Sequence, residues 1–161
     1  MLLPEEVTRA NKIVEIIEEM ESHPADLMFW NMRFDIGQYE QVVRVLSNLE
    51  EYNDATPESL SYLVNAMAKF LADLTPKGNW STNHISIGRE YSRVVYFHIS
   101  QSISYAADLP VVKDRIAEIA RLARVSELHY QEEKLQKVPG DAAAPIVDYF
   151  LWRTKIRFWW D

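Results

Sequence analysis

The 161 residues carry 17 Lys and Arg against 24 Asp and Glu, a formal charge of −7 with pI near 5.1. Such a chain lacks the basic face that supplies most of the free energy of general nucleic-acid binding, so no DNA partner is expected. No cysteine is present, which excludes disulfides and thiolate-held zinc or iron–sulfur centres.

An apolar fraction of 48% and a charged fraction of 25% are ordinary for a globular protein, and the length predicts one domain over residues 1–161. The opening MLLPEEVTRANK has neither a basic nor a long apolar region, so it does not read as a signal peptide. The longest apolar runs are a few residues, which predicts no membrane span. A cytoplasmic location follows as the expectation. The Asn79-Trp80-Ser81 sequon then reads as a chance tripeptide in a turn.

In chain order, residues 5–21 place Val7, Ala10, Val14 and Ile17 on one helical face. Residues 26–35 are apolar on all sides and read as a short buried helix or packed connection. Residues 37–52 align Tyr39, Val42, Val43, Leu46 and Leu49. Thr56-Pro57-Glu58 is a helix start, with Thr as N-cap and Pro at the first helical position. The stripe that follows, from Leu60 to Leu74, is the cleanest in the chain. Residues 75–83 read as a loop.

Residues 88–109 are rich in Val, Ile, Tyr and Ser, which suit strands. At 100° per residue, however, Tyr91, Val94, Val95, His98, Ile99, Ser102 and Tyr105 share one arc, and alternation fails at Val94-Val95-Tyr96-Phe97. The segment is therefore predicted as helix. A further helix begins near Pro110 with Val112, Ile116, Ile119, Ala120 and Ala123. Continuing its phase puts Glu127 and Lys134 at core positions while Val125, Leu128 and Leu135 start another stripe. Either that helix bends, or its second half leaves the core.

The last fourteen residues, DYFLWRTKIRFWWD, hold six of the nineteen aromatic residues and three of the five tryptophans. A stretch this aromatic docks onto something. Read as a helix, Tyr149, Trp152, Ile156, Trp159 and Trp160 form one arc and Val147, Leu151 and Phe158 another. One arc seals the domain, and the other either meets a partner or lies with it in a groove of the same domain, buried on both sides. Docking at a membrane interface ranks third, because a charge of −7 repels anionic lipid.

Candidate chemistry is sparse. His98 sits mid-arc on an apolar face and reads as a core histidine with a hydrogen-bond partner, or as a pocket residue beside Trp30 and Trp80. His23, His84 and His129 have no ligand spacing, and HExxH and paired ExxH signatures are absent, so no metal or cofactor is expected. Four scattered glycines cannot build a phosphate loop, and no G-x-S-x-G elbow occurs.

Arg93-Val94-Val95-Tyr96-Phe97-His98 resembles the R-x(4–6)-H motif of HEPN-family ribonucleases, which are all-helical and of similar size. The resemblance covers six residues and implies metal-independent RNA cleavage by Arg93 and His98. It departs from the family pattern at Val94, where a polar residue usually stands. Glu15-x-x-Glu18 and Glu51-x-x-Asp54 superficially resemble the acidic helices of magnesium-binding MazG-like pyrophosphohydrolases. Their register is wrong for a shared inward site, so solvated faces are expected.

These observations predict an all-α fold, an irregular bundle of five to seven helices closed by the aromatic C-terminal helix. The expected function is a small acidic, non-enzymatic protein-interaction, inhibitor or accessory module of bacterial or phage type. It would bind a protein partner or a second copy through Trp152, Arg153, Ile156, Arg157, Trp159 and Trp160. The alternatives are the HEPN-like ribonuclease and a small-ligand-binding helical protein.

Overall fold

The computed structural model describes residues 33–46, 54–75, 81–89, 93–143 and 147–161. The expected helix at 5–21, Trp30, Trp80 and most of the 26–35 stretch lie outside these residues. The described elements are β1 (Arg33–Asp35), α1 (Tyr39–Leu46), α2 (Pro57–Leu74), β2 (His84–Arg89), β3 (Arg93–Ile103), α3 (Leu109–Leu122), β4 (Glu127–Val138) and β5 (Tyr149–Trp160). Short 3-10 turns at Ile36–Gln38 and Ala106–Asp108 lead into α1 and α3.

All five strands form one antiparallel sheet in the order β1-β2-β3-β5-β4. The expectation of an all-α helical bundle is thereby overturned: this is an α/β chain. Residues 93–103, inside the stretch predicted helical, and residues 149–160 of the aromatic C-terminal segment form β3 and β5, neighbouring interior strands of the sheet. The arcs were real but their cause was different. A strand apolar on both faces fills a helical arc as readily as a helix does. In β3, Val94 and Val95 are each 1% exposed although they point to opposite faces.

Cross-strand register explains the core. Phe34, Ile85, Phe97, Ile156 and Tyr130 stand in one row across all five strands. The next row is Ile87, Val95, Phe158 and Leu128. Both rows lie on the same face, and with Trp152 and Trp160 they join Leu60, Leu63, Val64, Met67 and Leu71 of α2 and Val112, Ile116 and Ile119 of α3 in one cluster. The helices therefore cover this face of the sheet.

Local signals set the helix ends. Thr56 Oγ1 accepts from Ser59 N at 3.1 Å with Pro57 in the first turn, as the sequence predicts. α3 ends in a Schellman closure, Val125 N donating to Ala120 O at 3.0 Å and Arg124 N to Arg121 O at 3.1 Å. Arg124 takes the left-handed position at φ 60°. The phase break at Glu127 is thus neither a bend nor a departing helix: α3 has ended and β4 has begun. Among the described residues, no helix is long and apolar enough to cross a membrane.

Candidate functional site

The face of the sheet turned away from the helices carries the charge and hydrogen-bonding chemistry. Alternation along β5 sends Trp152, Thr154, Ile156, Phe158 and Trp160 to the core, where all are buried. It sends Arg153, Lys155, Arg157 and Trp159 to the other face. An acidic chain thus presents three consecutive outward cations on one central strand.

Register assembles neighbours around them. His84, His98, Lys155 and Gln131 form one row across β2, β3, β5 and β4. Ser86, Tyr96, Arg157 and His129 form the row on one side of it, and Ser100, Arg153 and Lys134 the row on the other. Side-chain contacts hold several of these groups in place. His98 Nε2 lies 2.9 Å from Ser86 Oγ. Lys155 Nζ sits 4.4 Å from the Tyr96 ring centroid, and the Arg157 guanidinium 5.0 Å from that of Trp159. Arg157 also meets Glu127 at 3.5 Å. Among the described residues, neither Arg153 nor Lys155 is paired with a carboxylate.

A groove of about 430 Å³ opens on this face. Arg153, Lys155, His84, His98, Ser100 and Thr82 contribute to its lining, with Glu132. Its shape depends on an irregularity. Between Gln131 and Lys134 the β4–β5 register slips, so that one extra residue bulges from β4. Glu132 takes that position at φ 56°, and Thr154 Oγ1 donates to Gln131 O at 3.0 Å beside it. The ladder is broken where the groove forms.

The residues expected to bind separate into two sets. Trp152, Ile156 and Trp160 are 0% exposed, and Trp160 Nε1 donates to Ala123 O at 2.9 Å. Those three are core, and they are not available to a partner on this fold. Arg153, Arg157 and Trp159 lie on the outer face. Arg93 and His98 stand in β3 opposite Trp160 and Lys155 respectively. Five residues is an odd offset, so a two-residue period does not bring these positions to one face. The HEPN-like arrangement presupposed a helix, and the strand removes that basis.

His98 is half-buried at the groove instead, beside His84, which sequence spacing passed over. The pairing of His84 with His98 spans a strand connection and has no fixed linear signature. The alternation Arg153, Lys155, Arg157 was visible, but under a helical reading it scattered around the axis. Glu15, Glu18 and Glu51 lie outside the described residues, and Asp54 is exposed with Arg124 Nη1 at 3.4 Å from its Oδ1. Among the described residues, no group of three or more His, Asp or Glu side chains is placed to hold a metal ion. A second hollow of about 440 Å³, lined by Ile36, Tyr39, Ala68 and Ala72 among others, has Lys69 as the one charged side chain among the described residues.

Comparison of the chain with protein-family models, with curated proteins and with solved structures finds no match in any of the three.

Proposed function

We propose that this chain is a non-enzymatic binding module that receives an acidic segment of a protein partner on the outer face of its sheet. The observation that carries the reading is the placement of Arg153, Lys155 and Arg157 at alternate positions of one strand, on one face, in a protein of charge −7. Cations so concentrated attract and orient an anionic partner while the remaining acidic surface repels unselective contact. Tyr96 and Trp159 lie among the cations and give the partner apolar area as well as charge.

The same geometry disfavours a general nucleic-acid role. Three cations on one strand do not offset an acidic chain whose other faces would repel a long polyanion.

The test is the affinity of the full chain for a glutamate-rich peptide, read by fluorescence anisotropy at low and high salt. Affinity is expected to fall as salt rises, and to fall at least tenfold in an Arg153→Glu, Lys155→Glu variant. Arg121→Glu, an exposed change on α3, should leave it within about twofold, because charges beyond a Debye length of roughly 10 Å are largely screened. Equal loss in both variants would mean that only total charge matters, and the reading would fall.

A further inference from the structure

We infer that the groove at Arg153 and Lys155 receives a phosphate monoester carried on a side chain of the protein partner. The inference rests on the reading of this sheet face as a binding surface and adds the chemical group that the surface is built to hold.

The composition of the groove points to a dianion rather than a single carboxylate. Arg153 and Lys155 are two residues apart on one face of β5, so their Cα atoms are roughly 6.5–7 Å apart. Both line the hollow as placed, Lys155 with its ammonium group against Tyr96, so a tetrahedral group seated there meets both. Lys134, opposite Arg153 in the ladder, lies on the same face but outside the groove's lining. Among the described residues Glu132 is the one carboxylate on the lining, beside the cations Arg153 and Lys155.

Hydroxyl groups add to the cations. Ser100 and Thr82 line the same hollow as Arg153 and Lys155. A phosphate monoester presents about two negative charges and three strong acceptor oxygens, which matches several donors around paired cations. A carboxylate has two oxygens and would leave much of this set to water. The volume of about 430 Å³ exceeds a carboxylate's need and leaves room for the side chain that carries the phosphate.

Pre-positioning supports the same assignment. Lys155 is held against the Tyr96 ring, and His98 is fixed through Ser86. Both groups lose little freedom when a ligand arrives. Arg153 is exposed and has no carboxylate partner among the described residues, so its planar fork is open to bidentate contact with two phosphate oxygens.

Three peptides of one acidic sequence decide the matter: one with a central phosphoserine, one with glutamate there and one with serine. Isothermal titration of the full chain should give at least tenfold tighter binding for the phosphoserine peptide than for the glutamate peptide. Inorganic phosphate should compete with the phosphopeptide. Arg153→Gln with Lys155→Gln should remove the tenfold preference while leaving the urea midpoint unchanged. Equal binding of the phosphoserine and glutamate peptides would overturn the phosphate assignment and leave the binding surface standing. Absence of binding by all three would overturn both. Binding of inorganic phosphate without any of the peptides would show a free-anion site and likewise overturn the proposal.

Discussion

Lys155 stands opposite His98 in the β3–β5 ladder, and its ammonium group lies 4.4 Å from the centroid of the Tyr96 ring in the adjacent row. The cation is thus packed along the sheet and aimed by an aromatic face. Replacing Tyr96 by Leu keeps apolar bulk but removes the ring quadrupole, an attraction of about 0.5–1 kcal/mol at a partly exposed site. Anion affinity should fall about two- to fivefold on that basis, with little loss of stability. Titration calorimetry beside a urea melt separates the two effects.

Trp159 and Trp160 are sequence neighbours with opposite roles. Trp160 is 0% exposed and donates its indole N–H to Ala123 O at 2.9 Å, tying β5 to the end of α3. Trp160→Ala should destabilise by about 3–5 kcal/mol through the cavity alone, with the orphaned carbonyl adding to it. Trp159, half-buried on the outer face, should cost clearly less when truncated. Urea unfolding of both variants checks the order, and equal losses would contradict the two-faced strand.

Arg124 holds a left-handed backbone at φ 60° in the Schellman closure of α3. A Cβ there costs roughly 1 kcal/mol, and glycine carries no such penalty. The side chain's contact with Asp54, 3.4 Å between well-exposed groups, adds little. Arg124→Gly should therefore raise stability by about 0.5–1 kcal/mol, seen as a higher midpoint at unchanged slope.

Burial, helped by the negative charges of Glu133 and Asp114, pushes the Tyr130 phenol well above the ordinary tyrosine range. Its hydroxyl is buried without a hydrogen-bond partner among the described residues. Because the folded-state value is raised, the folded protein keeps its proton while the unfolded chain loses it. Stability is then fully present below a pH of about 10 and declines as pH rises above that value. Tyr130→Phe should flatten this alkaline decline and be neutral or slightly stabilising near pH 7. Melting temperatures from pH 8 to 11 measure it.

The legible parts of this fold were those with a single buried face. α2 showed its cap, its proline and its stripe because its other side meets water. α3 was equally plain up to Ala123. β3 and β5 were misread because they are central strands with apolar residues on both faces. Val94, Leu151 and Tyr149 are buried on the side opposite the core cluster, and this blurs the two-residue period. The β-branched and aromatic content of residues 88–109 was the truer signal, and the loss of phase at Glu127 marked a change of element. Arg153 and His98 were expected site residues, but the groove that joins them could not be read from sequence. Its members come from β2, β3, β4 and β5 and meet only through register, at a bulge that no spacing announces.

The most direct test of the binding face is amide chemical-shift mapping of labelled full-length protein titrated with the acidic phosphoserine peptide. The account expects shifts concentrated at His84, His98, Ser100, Gln131, Arg153 and Lys155, fading as salt is added and absent in the Arg153→Glu, Lys155→Glu variant. Shifts clustered instead on the exposed sides of α2 and α3, or none at saturating peptide, would contradict it.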